Sequence, residues 1–405
     1  MIRRPLALAV VLIAALGMPA AAQAARVAGG NWVWYYQHVA AADAAKFTGA
    51  RAVVVADQTD DAAAVAEIHR KHALAFHYVN VYWYPGNRAY EGVDLSQNAG
   101  WAFCMSGAQA AIGRSVNGVP WYYADLNERG LYDSVMAYLR SLRSSGYDGV
   151  FVDLGTPALA SGAMPGLVST CTQQPVVPGA TFADAYARVV RAAAAIGLHV
   201  VVNYTTTKPL RADVAAVVDR TLYETPSGST AASFAAAFAR RRAEQAAGQG
   251  TAPRYVEEIK TSRAGDRAGA FYGWAQAALW RIDLTINAGD DNCGGSGAAA
   301  CARFGTFPEL TAVHRGTAMD AAPSSRSCTA RAAMRCLWVR RWQYALVLVN
   351  TTAAPIRATV STGHRRCRTF TDVWRARTLN GGGCTMKLTV TVPAGSGRVY
   401  TERYP

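Results

Sequence analysis

Asp153 ends the phrase Gly146-Tyr-Asp-Gly-Val-Phe-Val-Asp153, and Glu224 lies in Leu222-Tyr-Glu-Thr-Pro-Ser-Gly228, where a short apolar run meets a turn. Two carboxyl groups facing each other across a cleft are the minimal apparatus for cleaving a glycosidic bond. One donates a proton to the leaving oxygen and the other attacks the sugar or activates water. Further oxygen-bearing side chains fall at comparable places: Asp57, Asp125, Asn203, Glu257 or Glu258, and Asp283 or Asn287. Like charges brought together raise each other's pKa values, an arrangement tolerated where an acid and a base are both needed. Each candidate has a plainer alternative. Asp153 could cap the next turn, Glu224 could pair with an arginine, and Asp125, in Trp121-Tyr-Tyr-Ala-Asp125, could cap a helix beginning near Asn127. In Glu257-Glu258, strand alternation would send one side chain inward and the other outward.

The elements that must position these groups follow from periodicity. Leu131, Val135, Met136, Leu139 and Leu142 recur at three- and four-residue spacing and form one apolar helical face. Gly146 stops that helix, and Val150-Phe-Val152 reads as a strand buried on both faces, with Asp153 at its carboxyl end. Eight strand-like runs emerge: Trp32 to Tyr36, Ala52 to Ala56, Leu74 to Val81, Val150 to Asp153, His199 to Asn203, Thr221 to Glu224, Tyr255 to Glu258 and Asp283 to Asn287. Helical candidates alternate with them at Ala62 to His72, Phe182 to Ile196, Ala231 to Ala247 and Ala268 to Trp280. Eight such repeats predict a closed (β/α)8 barrel, which keeps its chemistry at the carboxyl ends of its strands.

Two connections are too long for simple turns, from about Tyr82 to Trp121 and from Leu154 to Ala180. The first is rich in aromatic residues, including Tyr82, Trp83, Tyr84 and Trp101, a composition suited to stacking on sugar rings or to packing the loop onto the barrel. From about Ser325 the pattern changes to alternating strands with Gly and Pro turns and predicts a small antiparallel β-sandwich. The expected organisation is therefore a signal segment over 1–24, the barrel over 25–324 and the sandwich over 325–405.

Met1-Ile-Arg-Arg, the apolar run after it and Ala22-Gln-Ala24 have the three parts of a secretory signal, cleaved near Ala24 or Ala25. No later segment is apolar enough to suggest stable membrane insertion. The expected location is outside the cell or in the periplasm. There the eight cysteines would form disulfides. Proximity favours Cys293 with Cys301, Cys328 with Cys336 and Cys367 with Cys384, which leaves Cys104 to tie Cys171. No Cys-x-x-Cys pair argues for a metal, and Asp290-Asp-Asn292 lacks the full oxygen spacing of a calcium loop. The net charge of +14 rests on 41 basic residues, only five of them lysine, with no nucleic-acid motif beside them. Arg240-Arg-Arg242 and Arg340-Arg341 read as solvated faces. There is no Gly-x-Ser-x-Gly elbow, P-loop or dinucleotide fingerprint, and no cofactor is expected.

Trp121-Tyr-Tyr-Ala-Asp125, Gly146-Tyr-Asp-Gly-Val-Phe-Val-Asp153 and Leu222-Tyr-Glu224 together resemble the barrel of glycosyl hydrolase-like family 15 and of the related endo-α-1,4-polygalactosaminidases, glycoside hydrolase family 114. The resemblance spans about Asn31 to Ala321. It implies a (β/α)8 barrel, an aspartate after strand four as nucleophile and a glutamate after strand six as general acid, roles that fall on Asp153 and Glu224. Retention of configuration is part of the same implication. The expected substrate is a polysaccharide, contacted by Asp57, Tyr82, Trp83, Asp125, Asn203, Glu257 and Asp283. A barrel that binds carbohydrate without cleaving it, and a basic surface adhesin, are the rival readings.

Overall fold

The computed structural model describes residues 31–35, 40–45, 50–55, 62–105, 108–109, 111–116, 118–153, 167–204, 210–225, 234–235, 239, 255–261, 267–281, 283–288, 308–311, 313–331 and 334–402. Eight strands close into a barrel: β1 (Asn31–Tyr35), β2 (Ala50–Val55), β3 (Leu74–Val79), β4 (Gly149–Val152), β5 (His199–Asn203), β6 (Arg220–Thr225), β7 (Tyr255–Thr261) and β8 (Asp283–Ala288). Every neighbouring pair is parallel, and β8 returns to β1. Spatial order follows chain order all the way round, which is the (β/α)8 topology expected from the eight repeats.

The helix before β4 shows how the sequence builds the frame. It runs Arg129–Ser144 and buries all five residues of the predicted apolar face, each worth about 1.5–3 kcal/mol. Gly146 follows at φ 92°, its N–H bonded to the Arg143 carbonyl and that of Tyr147 to the Leu142 carbonyl. This is a Schellman cap, which only a residue without a Cβ closes cheaply. The chain then enters β4, all of whose residues are buried. The helix Phe182–Ala195 begins with a capping box, in which Thr181 and Asp184 exchange side-chain and main-chain bonds at 3.2 Å.

Three expectations change. The connection after β3 is not a bare loop: it carries a three-stranded antiparallel sheet of Trp83–Pro85, Val119–Tyr123 and Ala111–Val116, and a hairpin of Ala89–Tyr90 with Val93–Asp94. The helix after β2 stops at Arg70, short of His72, which adopts a left-handed φ of 60°. Arg340 is not solvated. It is 2% exposed and donates to the Leu279 and Asp320 carbonyls, while Arg341 pairs with Asp320. The expected helix over Ala231 to Ala247 and the arginines at 240–242 fall almost wholly outside the described residues, as do the signal segment, Asp290 to Asn292, Cys293 and Cys301.

Beyond the barrel, a six-stranded antiparallel sheet, with Arg335–Arg341, Ala345–Asn350 and Ser396–Glu402 at its centre, faces the pair Ile356–Ser361 and Lys387–Val392. Leu337, Leu346, Leu348 and Phe370 pack there against Val360, Leu388, Val390 and Val392. The opposite face of the large sheet, with Trp338, Val347, Val349 and Val399, packs on the barrel helix Arg267–Trp280. That helix is buried from Ala270 to Trp280, since it is covered by barrel strands on one side and by the sheet on the other. Disulfides join Cys104 to Cys171, Cys328 to Cys336 and Cys367 to Cys384, as proximity and remainder predicted. Such bonds are consistent with an extracellular protein. Among the described residues no helix is long and apolar enough to cross a membrane.

Candidate active site

β3, β4 and β5 end side by side at the carboxyl mouth of the barrel. Register pairs Phe151 with Tyr78 and with Val201, and Val152 with Val79 and with Val202. His77 packs edge-on against Tyr138 and Tyr147 on the helix side, so its neighbour Tyr78 points into the barrel, where its ring lies 5.7 Å from Phe151. Asp153, two residues past Phe151, shares that inward face.

Three donors from three elements fix Asp153. The Tyr78 hydroxyl donates to Oδ2 at 2.6 Å, the Asn203 amide donates to Oδ1 at 2.8 Å, and the Tyr186 hydroxyl, from the helix Phe182–Ala195, donates to its main-chain carbonyl at 2.7 Å. Both carboxyl oxygens therefore accept hydrogen bonds. Burial, followed by the charge of Asp153, holds the Tyr78 and Tyr186 phenols well above their ordinary range, so both remain donors. Asp153 itself is half-buried, which leaves it a way to the mouth.

The structure brings Asn203 to Asp153 as the strand ends suggested. Asp125 stands elsewhere. It is 3% exposed, accepts from the Asn127 N–H at 3.0 Å and from the Thr172 hydroxyl, and locks the turn that enters the helix at Arg129. Tyr82 and Trp83 form the aromatic rim with their neighbours. Tyr82 is edge-on to Tyr123 at 4.9 Å and to Phe182 at 5.2 Å, and Trp83 lies 5.7 Å from Trp121. Both rings are half-buried in this cluster. Cys104–Cys171 ties the insertion that carries it to the segment bearing Thr172. The backbone of Glu224 lies in β6, two residues beyond Leu222, the partner of Asn203, and is itself paired with Glu258. The backbones of Glu257 and Asp283 lie in β7 and β8. The side chains of Glu224, Glu257, Glu258 and Asp283 lie outside the described structure, as does Asp57 altogether.

Sequence reasoning passed over Tyr78, Tyr186 and Glu91. A signal existed for Tyr78, the one hydroxyl-bearing side chain in Leu74–Val79, two residues beyond the inward Phe76. Tyr186 was masked by the apolar face of its helix. Glu91 sits in the insertion, where no periodicity marks it. Among the described residues, no group of three or more His, Cys, Asp or Glu side chains is arranged to hold a metal.

Fold and site together define a (β/α)8 barrel with an oriented carboxyl at the end of its fourth strand and antiparallel sheets packed on its flank. Its structural neighbours are glycoside hydrolases. Arthrobacter globiformis T6 isomalto-dextranase, complexed with panose, has a TM-score of 0.50 at 12% identity over 93% of this chain and 73% of its own. A GH27 β-L-arabinopyranosidase from Geobacillus stearothermophilus has a TM-score of 0.49 at 11% identity, covering 93% and 96%. Alpha-galactosidase I from Mortierella vinacea has a TM-score of 0.48 at 12% identity, covering 94% and 98%. At such identities the likeness is one of fold alone. No protein-family model matches the chain, and no curated protein matches it in sequence.

Proposed function

We propose that this protein is an exported glycoside hydrolase that cleaves a polysaccharide, with Asp153 as nucleophile and Glu224 as general acid. The observation that carries this reading is the grip on Asp153: a carboxyl group at the carboxyl end of β4, oriented by Tyr78 from β3 and Asn203 from β5. A nucleophile held in one rotamer loses little freedom on reaching the transition state. Asp153 would attack the anomeric carbon as Glu224 protonates the leaving oxygen. Glu224 would then take a proton from the water that releases the sugar. No cofactor enters either step. Asn203, Tyr82 and Trp83 would contact substrate together with Asp57, Glu257 and Asp283, whereas Asp125 serves the turn.

The short motifs shared with glycosyl hydrolase-like family 15 and family 114 support placing the chain beside those barrels and support retention. A separation of about 5 Å between the Asp153 and Glu224 carboxyls would agree with retention, and about 7 Å or more would favour inversion. A galactosamine polymer is cationic and gains nothing from steering by a chain of charge +14, so neutral and anionic polymers are equally good candidates. The test is release of reducing ends from polygalactosamine, dextran and polygalacturonate by wild type, Asp153→Asn and Glu224→Gln. Cleavage lost in both variants while polymer binding persists supports the assignment. Undiminished cleavage by Asp153→Asn rejects it, and binding of polymer without cleavage by wild type would identify a carbohydrate-binding barrel instead.

A further inference from the structure

The hairpin after β3 reverses at Glu91-Gly92, with φ of 48° and 77°. Two-residue turns with both φ positive are normally built from Asn-Gly or Gly-Gly, because the left-handed region disfavours a residue carrying a longer side chain. Hairpin tips are also ordinarily exposed. Glu91 breaks both habits, being 6% exposed. One side of the turn rests on the helix Arg129–Ser144: the Gly92 carbonyl accepts from the Ser134 hydroxyl at 2.8 Å, and a Cβ on the exposed Gly92 would stand 3.0 Å from that of Tyr138.

The docking brings the Glu91 Oε2 to the Asn80 N–H, 2.6 Å away. Asn80 follows β3 directly. Its side-chain oxygen accepts from the Tyr82 and Trp83 amides at 3.0 and 3.2 Å, and two residues before it stands Tyr78, the donor to Asp153. Glu91 thus clamps a residue between Tyr78, which supports Asp153, and the aromatic pair Tyr82 and Trp83. The groups around it are the Tyr90, Tyr78 and Tyr84 phenols, Asp153, and Tyr138 and Arg88 beside Tyr90. Burial pushes the Glu91 carboxyl well above the usual carboxylate range, the Asn80 and Tyr90 hydrogen bonds oppose that, and the charge of Asp153 adds to it.

Building on the glycosidase reading, we propose that Glu91 is a positioning residue of the reaction: buried at the hairpin turn, it holds the Asn80 N–H and with it the exit of β3, from which Tyr78 reaches Asp153. The test is a pH titration by difference infrared spectroscopy on the whole protein, following the carbonyl stretch of protonated carboxyls. One component should be present in wild type at neutral pH and lost in Glu91→Gln. The same component should titrate at lower pH in Asp153→Asn, where the repelling charge is gone. No component lost in Glu91→Gln, or an unmoved midpoint in Asp153→Asn, overturns the proposal. Should Glu91→Gln fold poorly, the comparison of wild type with Asp153→Asn decides alone.

Turnover supplies the second arm, on whichever of the three polymers wild type cleaves. Glu91→Gln retains an acceptor for the Asn80 N–H and should keep kcat within about twofold at neutral pH while flattening the alkaline limb of the pH profile. Glu91→Ala should lower kcat about tenfold with KM little changed. Equal impairment of both variants, or a wild-type pH profile in Glu91→Gln, counts against the assignment. Unimpaired cleavage by Asp153→Asn, or no cleavage by wild type, sinks the glycosidase reading instead, and the infrared arm still reports on Glu91.

Discussion

The mouth around Asp153 and the seam around the helix Arg267–Trp280 are built from opposite materials. At the mouth, Tyr78, Asn203 and Tyr186 converge on one aspartate, and a second carboxyl lies beneath the adjoining hairpin. At the seam, Phe271, Ala275, Ala278 and Leu279 meet Trp338, Val347 and Val399. Arg340 is a large polar insert there, and it donates to main-chain carbonyls. The seam converts apolar area into stability without caring which atom touches which, so long as volume is kept. At the mouth each hydrogen bond has one partner and one direction, and its loss alters the charge and aim of Asp153 more than the stability of the fold.

Substitutions can separate these roles. The largest expected effect is on Asp153→Asn, which should lower turnover roughly a thousandfold or more while leaving the thermal midpoint near that of wild type; loss of folding instead would make Asp153 a structural residue. Next comes Gly397→Ala at the seam. A Cβ there would stand 2.6 Å from the Phe271 carbonyl and 2.7 Å from the Ala275 methyl, so denaturant unfolding should show about 2 kcal/mol of destabilisation with kcat unchanged. An altered kcat would mean that the seam communicates with the mouth.

Tyr78→Phe removes a hydrogen bond to a charged group, worth about 1.5–3 kcal/mol, and should reduce kcat about tenfold with little change in KM. The smallest effect concerns Glu91. Folding holds its proton above the unfolded carboxyl value of about 4.3, so the wild-type protein loses stability as pH climbs from there toward the folded value. Gln carries no such slope. The thermal midpoint of Glu91→Gln relative to wild type should therefore rise with pH, by about 2 °C between about pH 5 and about pH 8, and a constant difference would break the link between burial and titration.

The amphipathic spacing of Leu131 to Leu142, the cap at Gly146 and the apolar run into Asp153 were all legible in order, because each is a local pattern with a period of its own. So were the eight strands and the three disulfides now seen, since short separations and elimination narrowed the pairings. Arg340 was misread because an arginine pair in a strand looks the same whether it faces water or the carbonyl end of a helix. The connection after β3 was misread because its strands are only two to six residues long, too short for alternation to announce itself.

By itself, then, the chain determined the barrel, the appended antiparallel sheets and the aspartate at the end of the fourth strand, since those depend on periodicity and on glycine and cysteine placement. What only the tertiary structure decided is who stands beside that aspartate. Tyr78, Tyr186 and Asn203 lie 75, 33 and 50 positions from Asp153, and Glu91 reaches the neighbourhood only because a hairpin folds inward. Hydrogen bonds act over about 3 Å, and that distance is set by the register of parallel strands and the docking of the loops between them, neither of which leaves a local mark on the sequence.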